Sequence, residues 1–377
     1  MNLNVTVPLN SVSLGFCGYN ILREFYNRGI SPNLFPIGQP DLSSFDKCTE
    51  DFKFYLQSCA NKALKNYSRD YPEFRLWHTQ GSETSHSKNQ NLLTFLETNK
   101  CTDFEVNILN NQAPTFVTSS FTKGVMEAHG IRNVVHCPLG FDSENYGVLN
   151  KPHAYNGACT VFGLFGKAEG LRKKTFKTLK LWAAKYGNNP KYRLHLHVYN
   201  IFLHQDPNQC AELNKQLIAQ ALEGKQYWNI NLINSYLKTS TELNSLYNSV
   251  DIVLELGGSE NWSLPSFNST AIGKHLVALN TNGVADWANE ENAVLVKPSE
   301  QMLEAHDGQF FHRGAGFNQG EFYDYNSDEA VAAMETAVKR YETSKTNTAG
   351  LQLQKDFTWE KTVDTILNTI NKTQTAV

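Results

Sequence analysis

Short apolar runs alternate with amphipathic helical stretches along most of the chain, and this alternation constrains the fold more than any other feature. The first unit is an apolar run over residues 3–9, a loop of small residues over 11–18, and a helical stretch over 19–28 that ends at Gly29. A strand, a glycine-containing loop and a helix in this order open a doubly wound α/β domain with a parallel sheet. We therefore predict a Rossmann-like domain in the first part of the chain.

A shift in composition divides the chain into two parts. Residues 142–157 carry Ser, Asn, Gly, Lys and Pro without a hydrophobic period, which is typical of a linker. The alternation restarts at residue 160, and 377 residues are enough for two domains of ordinary size. We predict an N-terminal domain over 1–150, a C-terminal domain over 157–355 and a closing helix over 356–377. Ligands of such sheets bind beyond the carboxyl ends of the strands, which predicts a site in the cleft between the domains.

Charge and composition argue against several classes of protein. The formal net charge of −3 is unlike that of a dedicated nucleic-acid binder. No apolar run approaches about 18 residues, so we expect no membrane-spanning helix. The first residues lack a basic segment and a long apolar segment, so we expect no secretory signal. The seven scattered Cys form no CxxC pair and are typical of reduced thiols. We therefore expect a cytoplasmic protein, which for a viral protein means the cytoplasm of the host.

A basic stretch with aromatic residues lies in the first part of the chain. It comprises Lys62, Lys65, Arg69 and Arg75 with Tyr67, Tyr71 and Trp77. This combination suits a polyanion such as nucleic acid, and it equally suits a solvated helix face. Both interpretations stay open at this point.

The stretch over residues 251–283 carries the most chemical information. A buried strand leads into a turn with Glu260, and Leu264-Pro265 follows. Proline fits the first turn of a helix, whose free amides favour an anion in the cleft. Glu260 can accept hydrogen bonds from sugar hydroxyls, or it is a solvated loop acid.

Three cations follow the first predicted strand of the second part, at Lys167, Arg172 and Lys173. Cations at a strand end and a helix start suit a diphosphate. The alternative interpretation is a basic, solvated helix face. We predict no metal site.

The stretch over 251–283 resembles the donor-site segment of the retaining glycosyltransferases of group 1, family 4. The matching positions are Glu260, Leu264, Pro265, Ala271, Gly273, Val277 and Gly283, and then Asp286, residues 292–296 and Pro298. Residues 165–174, 119–123, 136–142 and 356–361 resemble further segments of that family in the same order. Asn268 replaces the family's second Glu, Trp262 replaces a Phe, and Asn261 and Ser263 replace Gly residues.

This resemblance implies the GT-B architecture, an α/β fold with two Rossmann-like domains facing a central cleft. It implies transfer of a sugar from a UDP- or GDP-linked donor to a hydroxyl acceptor, with retention at the anomeric carbon and without a metal ion or cofactor. It also implies two sets of site residues. The catalytic set is Lys167, Lys173, Glu260 and His78, and the donor-binding set is Gly15, Arg172, Ile230, Trp262, Ser263, Leu264 and Asn268.

The first domain offers weaker signals. Family members have a His near the position of His78 that contacts the donor sugar, although His78 also fits a structural role. The loop from Gly15 to Gly18 can bring amides to the donor phosphate, or it is simply a tight turn between a strand and a helix. Glu97 and His86 are candidate acceptor-side groups without support from spacing.

Several functions remain open. The resemblance implies acceptors ranging from polysaccharides, lipids and small molecules to modified DNA bases, in bacteria or bacteriophages. Asn268 and Lys167 depart from the family pattern, which leaves the alternative of a catalytically degenerate protein that binds a nucleotide sugar or a carbohydrate. A dinucleotide oxidoreductase is disfavoured because no Gly-x-Gly-x-x-Gly follows the first strand.

Overall fold

A computed structural model of the chain describes residues 2–149 and 159–375. Six strands in the first part form one parallel sheet in the order β2-β1-β3-β4-β5-β6. The elements are β1 (Asn4–Pro8), α1 (Ser13–Asn27), β2 (Asn33–Ile37), α2 (Glu50–Asn66), β3 (Glu73–Leu76), β4 (Gln90–Thr94), α3 (Asp103–Asn110), β5 (Thr115–Val117), α4 (Ser120–Ala128) and β6 (Val134–His136).

A second parallel sheet follows, with six strands in the order β12-β11-β10-β7-β8-β9. Its elements are β7 (Thr160–Phe165), α5 (Thr175–Tyr186), β8 (Tyr192–His197), α6 (Pro207–Ala221), β9 (Ile230–Leu232), α7 (Ser240–Asn248), β10 (Ile252–Glu255), α8 (Leu264–Ala271), β11 (His275–Leu279), a 3₁₀ turn (Asn282–Asp286) and β12 (Val294–Val296). A small antiparallel pair, β13 (Leu303–Glu304) and β14 (Glu321–Phe322), precedes the closing helices α9 (Ser327–Thr343), α10 (Thr348–Leu351), α11 (Leu353–Asp356) and α12 (Trp359–Thr375).

The predicted fold class is confirmed, because two parallel sheets with crossover helices occupy the two parts of the chain. The predicted domain limits stay a prediction. Of the predicted linker, residues 142–149 form neither helix nor strand, and the remainder lies outside the described residues.

The last helix packs on the first part of the chain. Trp359 is buried against Phe16 of α1, with ring centroids 6.1 Å apart, and the Thr362 hydroxyl donates to the Pro138 carbonyl over 2.7 Å. Gly140 permits this approach, since a Cβ there would lie 2.1 Å from the Trp359 nitrogen. Within the described residues, no helix combines the length and the apolar character that a membrane span needs.

The loop predicted over 11–18 is wrong, because α1 already begins at Ser13 and includes Gly15 and Gly18. Both glycines allow the helix to start immediately after the strand. A Cβ at Gly15 would lie 2.2 Å from the Asn10 side-chain oxygen, and one at Gly18 would lie 2.3 Å from the Pro8 carbonyl oxygen. Glycine here serves close packing of helix against strand.

Two other predicted boundaries are wrong. The apolar spacing over residues 42–70 predicts a helix of that extent, but the helix is shorter, since Thr49 caps the Phe52 amide and α2 ends at Asn66. The apolar spacing also predicts a helix from about residue 171 to 186, but α5 starts at Thr175, because Lys174 adopts a left-handed conformation with φ of 53°. As a result, the three cations at Arg172, Lys173 and Lys174 precede the helix and line a turn.

Candidate functional site

The two sheets each contain a point where the strand order reverses. In the second sheet this point lies between β7 and β10, and in the first sheet it lies between β1 and β3. Crevices open at the carboxyl ends of parallel strands at such points. Lys167 follows β7, Glu260 follows β10 and His78 follows β3, so the structure places all three at these carboxyl ends.

Glu260 and Lys173 form an ion pair at the centre of this region. The Glu260 side chain is buried, and the Lys173 side chain is 18% exposed. Burial opposes the ionisation of Glu260, but Lys173 and Arg172 outweigh it and hold the pKa of Glu260 below its usual range. Glu260 is therefore an ionised hydrogen-bond acceptor with a partly accessible cation beside it.

Arg172 is buried in a cage of acceptors. Its Nε donates to Glu169 over 3.1 Å, and its Nη1 donates to Glu97 over 3.0 Å and to the Ser259 carbonyl over 3.2 Å. Burial lowers the pKa of Arg172, but Glu97, Glu260 and Glu169 more than reverse this effect and raise it. Arg172 is committed to these carboxylates, so Lys173 is the better placed of the two to meet an anion.

Lys167 lies against two aromatic rings. Its Nζ is 4.4 Å from the ring centroid of Phe202, which follows β8, and 5.0 Å from that of Phe310. The two rings meet edge to face at 5.4 Å, and both are partly exposed. Burial, together with the charges of Lys173 and Arg172, lowers the pKa of Lys167 to about 8. The amine thus carries a proton at pH 7 and releases it at mildly alkaline pH.

The first sheet contributes His78 and Glu97 to the opposite side. Loss of hydration and the charge of Lys167 lower the pKa of His78, whereas the Glu97 carboxylate raises it, and the net shift is downward. The imidazole is therefore neutral near pH 7. Glu97 lies beyond the end of β4 and contacts the other part of the chain twice, through Arg172 and through its carbonyl, which accepts from the Ser259 hydroxyl.

The start of α8 follows Glu260 in the chain, at the carboxyl end of β10. Ser263, the residue before the helix, has a left-handed conformation with φ of 58°. Its hydroxyl and that of Ser266 both donate to the Glu255 carboxylate, the latter over 2.7 Å. The free amides at the start of α8 provide a favourable environment for an anion next to Glu260.

Of the other predicted donor residues in this segment, Leu264 and Asn268 lie on α8 and the Trp262 ring lies in the core. Leu264 opens α8 at the site, and Asn268 lies one turn further on, where its buried side-chain oxygen accepts no hydrogen bond from any described residue. The Trp262 ring instead packs in the core against Phe267, at a centroid distance of 5.2 Å. A donor contact at Trp262 is thereby limited to its backbone.

Ile230 lies away from this cluster. It begins the edge strand β9 and pairs in register with Leu194 and, through it, with Phe162. This level is three residues before the carboxyl end of β7, and Ile230 packs on the core of the second sheet. Gly15 lies in the first turn of α1, which follows β1 at the reversal point of the first sheet. The donor contacts predicted at Ile230 and Gly15 stay predictions.

Direct contacts join the two parts of the chain around the site. Besides the pair between Arg172 and Glu97, the Thr122 hydroxyl donates to the Asn261 side chain over 2.9 Å. The Asp286 carboxylate accepts from the Ser120 amide over 2.7 Å and lies 3.3 Å from the His136 ring nitrogen. The carboxyl edges of the two sheets therefore face each other across a closed cleft.

Glu255, Phe202 and Phe310 are among the groups at the site that were not predicted as site residues from the sequence. Glu255 is an acidic residue at the end of a buried strand, a position where a carboxylate is unusual, and this signal could have identified it. Phe202 and Phe310 offered no pattern, since they lie in irregular loops that only the tertiary fold brings to Lys167. Over residues 2–149 and 159–375, no group of three or more His, Cys, Asp or Glu is arranged to hold a metal ion.

Comparisons with known proteins give a structural match alone. No protein-family model matches the chain, and neither does any curated protein sequence. Among solved structures, sucrose-phosphate synthase from Thermosynechococcus elongatus is similar over 100% of both chains, with 12% identity and a TM-score of 0.66. A glycosyltransferase from Rickettsia africae matches over 99% of this chain and 98% of its own, with 12% identity and a TM-score of 0.65.

HepE of Anabaena, solved in complex with UDP and glucose, matches over 99% of this chain and 100% of its own, with 13% identity and a TM-score of 0.64. These similarities extend over both sheets and the closing helix. The chain therefore has the GT-B fold.

Proposed function

We propose that this chain is a glycosyltransferase that moves a sugar from a nucleotide-sugar donor to a hydroxyl acceptor. The observation that carries the proposal is the cluster of Lys167, Lys173 and Glu260 at the reversal point of the second sheet, facing His78 and Glu97 of the first. A donor of this class combines a diphosphate with a neutral, hydroxyl-rich ring. The cluster offers cations for the former and an ionised acceptor for the latter.

In the proposed complex the diphosphate lies between Lys167, Lys173 and the amides at the start of α8. Lys173 leaves Glu260 for a phosphate oxygen, and Glu260 then accepts hydrogen bonds from the sugar hydroxyls. Cations and helix amides aimed at the leaving group stabilise the charge that develops as the glycosidic bond breaks. HepE, a similar structure, was solved with UDP and with UDP-glucose, which favours testing UDP-linked donors first.

We further propose that transfer proceeds with retention and without a metal ion. The bond from the anomeric carbon to the diphosphate oxygen breaks, and the acceptor oxygen bonds to the same face. The acceptor proton passes to the departing phosphate oxygen. The lysines supply the positive charge that this step needs, and closure of the cleft excludes water that would hydrolyse the donor.

A thermal-shift screen of UDP-, GDP- and ADP-linked sugars tests donor binding. Binding to the folded state raises Tm by mass action, so the true donor raises Tm most. Absence of a shift with every donor would contradict the proposal. The nucleoside diphosphate released from the stabilising donor is then measured with and without EDTA. Release that EDTA leaves unchanged supports metal-independent transfer, whereas release that EDTA abolishes contradicts it.

The alternative is a degenerate protein that binds a nucleotide sugar without turning it over. It is favoured by the mutual pairing of the charged groups, with Arg172 held by carboxylates and Lys173 by Glu260. Donor binding without release of nucleoside diphosphate, in the presence of mixed sugar and polysaccharide acceptors, would establish this alternative.

A further inference from the structure

A second buried carboxylate, Glu255, lies beneath the turn that carries Glu260. It ends β10 and is 8% exposed. One of its oxygens accepts from the Gly257 amide over 3.2 Å, and the other accepts from the hydroxyls of Ser263 and Ser266. A single side chain thus fastens the turn on both sides of Glu260.

The chemistry of these partners explains why a carboxylate stands here. The Gly257 amide can only donate, and both serine hydroxyls donate to the carboxylate, which has acceptor atoms only when it is ionised. An amide at this position would have to turn its N–H groups toward the serine hydroxyls, which would then have to accept instead of donate. Hydrogen bonds to the ionised form are also the stronger kind, which offsets part of the cost of burial.

The electrostatic surroundings of Glu255 disfavour its ionised form, which is unfavourable for a side chain with a purely structural role. Burial and the neighbouring Glu260 carboxylate raise the pKa of Glu255, and Lys173 with the two hydroxyls opposes this shift. Two buried carboxylates next to each other repel. Placing both carboxylates beside Lys173, with Arg172 next to Glu260, is consistent with a turn geometry that the site needs.

The geometry of the turn shows what the carboxylate holds. Ser263 adopts a left-handed conformation, which strains a non-glycine residue and persists only where its surroundings hold it in place. Its bond to Glu255 supplies such an enforcement, and this conformation sets the direction in which α8 begins. Gly257 leaves the room required, since a Cβ there would lie 2.9 Å from the Glu255 carboxylate.

We propose that Glu255 is a positioning residue of the donor site, which holds the turn over 257–263 and the first turn of α8 so that Glu260 and the helix amides face the donor. This inference rests on the function proposed above. It concerns a side chain that does not itself touch the donor.

The test compares Glu255→Gln with the matched control Glu73→Gln. Glu73 is also buried and accepts from the Ser85 hydroxyl and the His86 amide, each over 2.7 Å, but it lies at the amino end of β3, away from the cleft. The donor KM is the readout, because it does not depend on the fraction of protein that is folded. We expect KM to rise at least fivefold in Glu255→Gln and to stay within twofold of wild type in Glu73→Gln.

A second variant keeps the proposal testable if Glu255→Gln does not fold. Ser266→Ala removes one of the hydroxyl donors and should raise the donor KM at least twofold. Equal KM values for wild type and for whichever of the two variants folds would overturn the inference while leaving the proposed function intact. A wild-type protein that binds no nucleotide sugar would overturn both, so the two failures are distinguishable.

Discussion

At the scale of single residues, the site is defined by which charged side chains pair with one another and which are exposed to the cleft. Arg172 is paired with Glu169 and Glu97, whereas the side chains of Lys173 and Lys167 are partly exposed. The residue types alone offered both Arg172 and Lys173 for the diphosphate, and the family resemblance favoured Lys173. Their adjacent positions could not separate them, because only the folded turn decides which side chain points into the carboxylate cage.

Replacement of Glu260 tests its role at the sugar. We expect Glu260→Gln to lower kcat by at least a hundredfold, because a neutral amide cannot replace an ionised acceptor that strengthens its bonds as positive charge develops on the sugar. Steady-state release of the nucleoside diphosphate measures the effect. Glu50→Gln serves as control, since that side chain is 87% exposed on α2. A kcat for Glu260→Gln equal to that of the control would contradict the assignment of Glu260 to the sugar.

The lowered pKa of Lys167 predicts a pH dependence of donor affinity. The amine is charged below pH 8 and neutral above it, so the affinity for the donor should fall as pH rises from 7 to 9. Arginine stays charged across this range, so Lys167→Arg should show a flatter profile. Calorimetric titration with a nucleotide sugar, whose doubly esterified diphosphate does not ionise further near neutrality, gives both profiles. Parallel profiles for the two proteins would contradict the assignment.

At the scale of elements, the turns at the carboxyl ends of strands position the site. The sequence predicted some of the flanking strands and helix starts but not others. The strand at β10 and the start of α8 follow from an apolar run and from Pro265. The sequence did not predict the first residue of α1 or the existence of β4. A two-glycine stretch resembles a loop until the packing against Asn10 and Pro8 is known, and β4 is short with polar residues at its start.

The turn carrying Glu260 depends on a close backbone approach at Gly283. A Cβ there would lie 1.7 Å from the Asn261 carbonyl oxygen, and the Gly283 amide donates to the Glu260 carbonyl over 2.9 Å. We expect Gly283→Ala to reduce the free energy of unfolding by about 1–3 kcal/mol through overpacking, and to weaken donor binding by displacing the turn. Denaturant unfolding and calorimetric titration measure the two effects.

The control for this substitution is Gly124→Ala in α4. A Cβ at Gly124 would meet no atom within 4 Å, and alanine in a helix is more stable than glycine by about 0.5–1 kcal/mol. Gly124→Ala should therefore keep or raise stability and leave donor binding unchanged. Equal effects of the two substitutions would show that the close contact at Gly283 is not a constraint.

At the scale of the whole molecule, the two-sheet architecture was predictable because alternating strands and helices permit few arrangements. The contacts that close the cleft were not, since Glu97, Asn261 and Asp286 meet partners from distant parts of the sequence. The family resemblance indicated Glu260 and Lys173, and the structure pairs them at the carboxyl edge of the second sheet, while their roles at a donor stay a prediction. It gave no reason to expect that Glu97 would cross the cleft and contact Arg172.

The contact of Asp286 with Ser120 and His136 predicts a measurable effect on closure. Hydrogen bonds from both partners overcome the burial of Asp286 and lower its pKa, so the carboxylate is ionised near pH 7 and holds the two parts together. We expect Asp286→Ala to increase the radius of gyration in small-angle X-ray scattering. Asp70→Ala, which removes an exposed pair with Lys88 within the first part, should not change it. An unchanged radius in Asp286→Ala would show that other contacts suffice for closure.

The central claim is that the diphosphate of a nucleotide sugar binds to the lysines of the second sheet. Calorimetric titration of wild type, Lys173→Ala and Lys180→Ala with the donor that most raises Tm tests it most directly, since Lys180 is an exposed lysine of the neighbouring helix α5. Loss of one hydrogen bond between charged groups costs about 1.5–3 kcal/mol, or roughly 10- to 150-fold in Kd. We predict a loss of this size for Lys173→Ala and an unchanged Kd for Lys180→Ala. Equal affinity in all three proteins would contradict the account.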